Sequence, residues 1–405
     1  PTGVITLRQA MGAALLRNPE LASFSYEVRV REAQALQAGL LPNPEVGIEV
    51  ENFAGTGATR GLDSAENTVS LSQLIELGDK RTKRRALAEL DRDLAGWDYE
   101  AKRVAVLTEV TRRYVNVITA QRRLELAREG MSLTDEVFKA VGKRVEAGAV
   151  PAVERLRAGV LVATSQIEFQ RAQRDLDEAK IQLASTWAQS TSTFDSAGGE
   201  LQATVDVPPL EKLGQRISQN PDLARWTVEL DQSRAAVDLA KASAIPDVTA
   251  SAGVRRYTNA DDTAIVVGLS LPLPLFDRNQ GGIAAARFSQ AKAVQERRAA
   301  EIRVGTALKI AHRSASTAFA EASTLQEKVL PAAQEAYDAI DKAYQEGTVG
   351  LLEVLDARRT LLEARRQHID ATGNYHAAVA ELEGLIGQPL NQVGAAAPIQ
   401  ENPQN

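Results

Sequence analysis

The stretch VSLSQLIELGDKRTKRRALAE, residues 69–89, changes character halfway along. Val69 and Leu71 alternate with Ser70 and Ser72, the two-residue period of a strand with one apolar face. From Asp79 onward the residues are helix formers, and Lys80, Arg81, Lys83, Arg84 and Arg85 crowd into six positions. A strand that runs straight into a basic helix start has three readings: a nucleic-acid patch, a solvated helix face, or an interfacial anchor beside a membrane-embedded strand.

Composition narrows these readings. The 405 residues carry a formal net charge of -6, so the basic run belongs to an acidic protein and nucleic acid is not expected as a partner. There is no cysteine and there are only three histidines, His312, His368 and His376, which leaves no disulfide, thiolate metal site or cysteine nucleophile. His368 and His376 stand eight apart, not at the i, i+4 spacing of a zinc helix. No motif sets a base beside Ser, Thr or Lys, so an enzyme, a cofactor and a bound metal are not expected. No window supplies the roughly 18 apolar residues of a spanning helix. The chain opens at Pro1 without a signal-peptide pattern, so a secreted protein is expected here in its mature form. Aromatics make up 4%, while Ala, Leu, Glu, Arg and Gln abound, which favours long helices with small-residue seams.

The chain is written twice. Asn18-Pro19-Glu20-Leu21 recurs as Asn220-Pro221-Asp222-Leu223, and Pro44-Glu45-Val46 as Pro246-Asp247-Val248, both at an offset of 202. Val69, Leu71, Ser72, Leu77 and Asp79 match Val267, Leu269, Ser270, Leu275 and Asp277 at 198, and Gly148, Val150 and Glu154 match Gly347, Val349 and Glu353 at 199. So constant a shift implies duplication, with a first repeat over 1–205 and a second over 206–405.

Each repeat is expected to begin with a helix, about Leu7–Ala38 and Leu210–Ser243, ended by prolines. A strand hairpin follows, about 45–75 and 247–273, with turns over Asn52 to Asn67 and Tyr257 to Asp262. A long helical hairpin comes next, about 79–189 and 282–387, with the first reversal near Gly130 or Gly148 and the second at Gly347 to Gly350. Leu107, Val110, Tyr114, Val117, Gln121 and Leu124 alternate steps of three and four, a coiled-coil seam. Residues 190–209 are expected as a linker or short irregular region and the tail from Gln388 as flexible. Glu353 and Asp356 lie three apart at a helix start, on one face; near the positive helix end this is favourable placement, and in several copies around an axis it makes acidic rings.

The order helix, strand hairpin, long helical hairpin, repeated once, resembles the TolC-like outer-membrane efflux channel family over nearly the whole chain. The residues that carry the resemblance are Asn18 to Leu21, Leu41 to Val46, Glu51-Asn52-Phe53, Leu71 to Arg81 and Gly347-Thr348 through Leu355-Asp356-Ala357. Ile75-Glu76-Leu77-Gly78 with Lys80-Arg81 is most similar to the heavy-metal, cobalt-zinc-cadmium branch of resistance-nodulation-division systems. The resemblance implies a mainly α fold with a β-barrel part: a homotrimer whose 12-stranded barrel, four strands per chain, sits in outer-membrane lipid above a periplasmic α-helical barrel. Four strands cannot close a membrane barrel alone, since the lower limit is about eight.

It further implies a passive duct without cofactor, partnered by a periplasmic adaptor and an inner-membrane pump. Gly148, Ala149, Val150, Gly347, Thr348, Val349 and Gly350 would be the tip turns and adaptor contacts, and Glu353, Asp356 and Glu154 the periplasmic gate. Val349 stands where many relatives carry a basic latch residue. Lys80, Arg81, Phe53 and Tyr257 are expected at the membrane interface. Drug efflux or type I protein secretion within the same family, and a soluble coiled-coil scaffold outside it, are the competing readings.

Overall fold

The computed structural model describes residues 2–199, 201 and 204–390; the flexible tail expected from Gln388 lies, from 391 on, outside the described residues. The first repeat holds β1 (Gly3–Ile5), α1 (Leu7–Arg17), α2 (Pro19–Ala38), β2 (Glu45–Glu51), β3 (Glu66–Ile75), α3 (Lys80–Glu146), α4 (Ala152–Ser185) and β4 (Phe194–Ala197). The second holds α5 (Leu210–Gly214), α6 (Pro221–Ala242), β5 (Val248–Tyr257), β6 (Asp262–Ser270), α7 (Gln280–Thr324), α8 (Leu330–Gln345) and α9 (Leu351–Ile386), with a π turn at Leu325–Val329 between α7 and α8. Pro331 follows that turn; it has no N–H to give the ladder, and a widened turn is a common local answer.

Two compact units emerge, and each takes segments from both repeats: residues 25–98 with 224–300, and residues 1–24, 99–223 and 301–405. The first unit carries a four-stranded antiparallel sheet in the order β2-β3-β5-β6. The central pairing, β3 with β5, joins one repeat to the other. The register sets Ile48, Val69, Val254 and Ile265 in one row and Val46, Leu71, Ala252 and Val267 in the next same-face row. Between them, facing the other way, lie Gly47, Ser70, Gly253 and Val266. One face is therefore mainly aliphatic and almost wholly exposed, while the other is mainly small or polar, with Val266 and Leu74 as its apolar members. On the polar face Arg255 spans three strands, reaching Glu51 and Glu66 at 2.8 Å each and the Thr68 hydroxyl at 2.9 Å.

The second unit is helical, with two related cores. In one, Ile5, Ala10, Ala14, Val110, Tyr114, Val117, Leu183 and Trp187 pack together; in the other, Leu213, Leu308, Ala311, Ala315, Tyr375, Leu382 and Ile386 do so. Each core closes on a buried tyrosine. The Tyr114 hydroxyl sits between the carbonyls of Ile5 (2.9 Å) and Gly198 (2.5 Å), and the Tyr375 hydroxyl lies 2.7 Å from the Val205 carbonyl.

The repeated Asn-Pro pair explains itself here, because the expected single first helix is broken at it. Asn18 accepts the Leu21 N–H at 2.9 Å and Asn220 the Asp222 N–H at 2.9 Å, each capping a helix whose first residue is the proline. Their amides also donate to the last turns of the returning helices, Asn18 to the Thr186 carbonyl at 2.8 Å and Asn220 to the Leu385 carbonyl at 3.0 Å.

Two expectations change. The 190–209 stretch is no plain linker: β4 within it pairs in parallel with β1, and Phe194, Ala197 and Val207 are buried. The first reversal falls at Gly148, since α3 runs unbroken through Gly130. The expected seam on α3 is buried, with Val110, Tyr114 and Val117 in the core and Leu124 packed against it, and Val106 extends the buried face so that it steps 4, 4, 3 from Val106 to Val117. Eleven residues in three turns give 3.67 per turn, which removes the demand for a left-handed supercoil.

Three glycine contacts between α3 and α9 keep that same spacing: Thr108 meets Gly384, Thr119 meets Gly373 eleven residues on, and Gly130 meets Leu362 after eleven more. A Cβ at Gly373 would lie 2.5 Å from the Thr119 hydroxyl. Gly373→Ala should therefore cost about 1–3 kcal/mol by overpacking, read as a lower thermal midpoint in detergent. Thr119→Ala in the same chain should recover most of the loss, and no recovery would show that the helices do not touch there.

Candidate functional site

The strand-to-helix junction is built from the opening basic run. Lys80 Nζ lies 2.7 Å from Asp247 Oδ1, just before β5, and the Leu77 N–H donates to the same oxygen at 2.9 Å. Arg84 grips Glu76 with two nitrogens, at 2.5 and 3.1 Å, and donates through Nε to the Ala38 carbonyl at the end of α2 at 2.9 Å. Lys83 reaches the Gly78 carbonyl at 3.2 Å, and Arg85 pairs with Glu89 at 2.8 Å. Bases gathered at the positive end of a helix repel its dipole, and the carboxylates of Glu76 and Asp247 offset that cost. Lys80 and Arg84 thus fasten α2, β3, α3 and the entry to β5 together. Arg81 is exposed.

The second repeat performs the corresponding fastening with one amide. Asn279, in left-handed conformation just before α7 as Asp79 is before α3, donates to the Ala240 carbonyl at 2.7 Å. Ala240 stands 202 residues after Ala38, so both first helices are capped from the junction, one by an arginine and the other by an asparagine. The structural counterpart of Asp79 is accordingly Asn279, two residues beyond the Asp277 that sequence alignment pairs with it. Phe53 and Tyr257 are not brought near Lys80 and Arg81. They stand at the loop end of the sheet, Tyr257 opposite Glu66 on the polar face, while Lys80 and Arg81 stand at the helix end.

The two tip turns have one geometry. Gly148 and Gly347 take left-handed φ values of +68 and +77, and each ends its helix in a paired six-to-one and five-to-two closure. Ala149 N–H donates to the Arg144 carbonyl and Thr348 N–H to the Ala343 carbonyl, both at 2.9 Å. Gly148, Ala149, Gly347, Thr348 and Gly350 are exposed, and Val150 and Val349 half-buried. Arg144 near the end of α3 donates to the Tyr344 hydroxyl near the end of α8 at 2.5 Å, which ties the two tips.

Of the gate candidates, Glu353 and Asp356 are exposed on one face of the first turns of α9, with Asp356 paired to Arg359 at 2.8 Å. Glu154, at the matching place on α4, is half-buried; one oxygen accepts from Arg157 at 3.1 Å and the other is enclosed without a partner. Sequence reasoning missed Arg358. Its guanidinium is buried between α9 and α3, donating to the Gly130 carbonyl at 2.8 Å, and burial pushes its pKa below the usual arginine value. The signal was present, since Arg358 occupies a core step between buried Val354 and Leu361.

Burial tends to raise the Asp247 pKa, but the Lys80 hydrogen bond, the Leu77 N–H and the nearby Arg84 charge outweigh it and hold the carboxyl below its ordinary 3.8. A depressed acid gives stability that is whole above 3.8 and lost as pH falls through the lower folded value. Asp247→Asn should thus lower the thermal midpoint at neutral pH, and its deficit against the unaltered protein should close below about pH 3.8. A deficit independent of pH would contradict the clamp.

Comparison with known proteins gives a concordant picture. The family model described as "Outer membrane efflux protein" matches residues 10–189 and 213–388, one stretch per repeat. The chain is similar to the cobalt-zinc-cadmium resistance protein CzcC of Cupriavidus metallidurans, 31% identical over 386 residues that cover 95% of this chain and 91% of that one. It is similar to the nickel-cobalt-cadmium resistance protein NccC of Alcaligenes xylosoxydans xylosoxydans at 28%, over 76% of this chain and 67% of that one. Among solved structures, the outer membrane protein VceC of Vibrio cholerae superposes with a TM-score of 0.78 at 18% identity, covering 95% and 96% of the two chains.

Proposed function

This chain belongs to the outer membrane efflux protein family, and from that premise we propose that it is the passive exit duct of a tripartite pump for heavy-metal cations. It is an outer-membrane efflux channel of the CzcC type and not an enzyme. The observation that carries the proposal is the sheet: four strands, one exposed and mainly aliphatic face, one mainly polar face, and two edges, β2 and β6, that have no partner strand among the described residues. In a bilayer an open edge leaves N–H and C=O groups unpaired at several kcal/mol each, so the edges must be closed by further copies. Two copies supply eight strands, a barrel whose interior is filled by side chains; three supply twelve, enough for an open lumen lined by the polar face.

The helical hairpins serve as the periplasmic part of the duct, and the tip turns around Gly148 and Gly347 meet a periplasmic adaptor and an inner-membrane pump. Three copies of Glu353 and Asp356 around the axis form acidic rings that repel one another unless hydrated or bridged by cations. Asp356 is partly compensated by Arg359, and Val349 offers no basic latch, so the closed state is held by packing and by contacts such as Arg144 with Tyr344. The cation class follows the relatives named for cobalt, zinc, cadmium and nickel resistance.

In a planar bilayer the purified protein should conduct, and Glu353→Ala with Asp356→Ala should raise single-channel conductance or cation leak. A water-soluble monomer that stays silent even with both substitutions would overturn the channel reading. Loss of the protein should sensitise cells to zinc, cobalt or cadmium; unchanged metal tolerance with lost drug tolerance would move the substrate class to drugs.

A further inference from the structure

The lipid-facing stripe of β6 does not stop where the strand does. Ile265, Val267 and Leu269 point to the aliphatic face at 82%, 78% and 76% exposure, and the same two-residue step continues through Leu271, Leu273 and Leu275, all exposed. The intervening positions past Ser270 are Pro272 and Pro274, and the segment closes on Phe276, 89% exposed, before Asp277 and Arg278. In the first repeat the corresponding chain stays in the sheet, since β3 is paired to β5 as far as Ile75.

Length decides what this extension is for. From Ile265 to Leu269 an extended chain advances about 13 Å, which at a tilt of about 40° rises about 10 Å, far short of the ~25 Å apolar band of a membrane barrel. From Ile265 to Leu273, before the turn that the Leu275 N–H closes on the Leu273 carbonyl, it advances about 26 Å and rises about 20 Å, most of the band.

The backbone is also prepared for a medium without water. Pro272 and Pro274 have no N–H to leave unpaired. The Leu275 N–H donates to the Leu273 carbonyl at 2.8 Å, Arg278 Nε to the Pro274 carbonyl at 3.2 Å, and Gln280 Nε2 to the Phe276 carbonyl at 3.1 Å. An irregular strand end that caps three of its carbonyls locally while exposing leucines suits lipid better than water.

We infer that Leu271 to Phe276 is a lipid-immersed extension of β6 that completes the apolar band on the periplasmic side of the barrel, in contact with acyl chains of the inner leaflet. The inference rests on the reading of the sheet as a barrel segment. The rival occupant is a second copy of the chain, whose β2 entry at Leu41-Pro42-Asn43-Pro44 would lie against it; prolines on both edges deny either segment a continuous ladder there.

Because the chain has no cysteine, single-cysteine variants can be labelled cleanly. Leu273→Cys, Val267→Cys and Ser251→Cys are labelled with an environment-sensitive fluorophore in the full-length protein and reconstituted in phosphatidylcholine vesicles. Each is then quenched by nitroxide-bearing acyl chains and, separately, by aqueous iodide. The expected result is that positions 267 and 273 are both quenched several-fold more by lipid nitroxide than by iodide, with position 251 reversed. If position 267 behaves so while position 273 is quenched by iodide, the extension lies in water and the inference is overturned. If position 273 is shielded from both quenchers, a second copy covers it and the inference is likewise overturned. Failure of position 267 to meet lipid nitroxide would instead remove the barrel reading beneath it.

Discussion

Hydrogen bonding at the two outer edges of one small sheet governs this protein. Among the described residues, strands β2 and β6 each have one side paired and one side open, and the faces between them differ sharply, mainly aliphatic on one side and mainly Gly, Ser, Thr or charged on the other. A sheet of that kind is unstable in water through its exposed leucines, valines and isoleucines, and unstable in lipid through its open edges. Closure by further copies in a membrane, the arrangement proposed above, would meet both demands. The duplication serves the same end, since the central pairing of β3 with β5 welds one hairpin from each repeat into a single barrel segment.

The helical unit solves a different problem by repetition of one device. Asn18 and Asn220 each cap a helix and reach back to the last turn of a returning one, and Tyr114 and Tyr375 each bury a hydroxyl against backbone carbonyls. The glycine and threonine contacts at eleven-residue spacing let α3 and α9 approach closely along a face that does not drift. Such packing is specific to register, so a slip by one turn would bring a Cβ-bearing residue onto a threonine.

Much of this was legible in the sequence, and the reasons are local. Alternation over Val46 to Val50 and Val248 to Val254 identified strands because one face is uniformly aliphatic, and Gly148 and Gly347 marked reversals because only a left-handed residue closes those turns. The offsets of 198 to 202 announced a duplication whose conserved dipeptides prove to be helix caps. What sequence hid depends on partners distant in the chain. The two short strands β1 and β4 are too brief to show a period, and Lys80 and Arg84 look like a surface patch until Asp247 and the Ala38 carbonyl arrive beside them. The seam of α3 was legible, but its period was not, because a run of threes and fours fits both 3.5 and 3.67 residues per turn until the burial of Val106 with Tyr114 is seen.

The most direct test of the central claim is the mass of the native assembly in detergent, measured by native mass spectrometry on protein extracted from membranes. The account predicts a particle of three chains that persists on dilution and falls apart only when the sheet unfolds. A stable single-chain particle would contradict it, because a folded four-stranded sheet would then be holding two open edges and an aliphatic face without the copies that the chemistry of lipid requires.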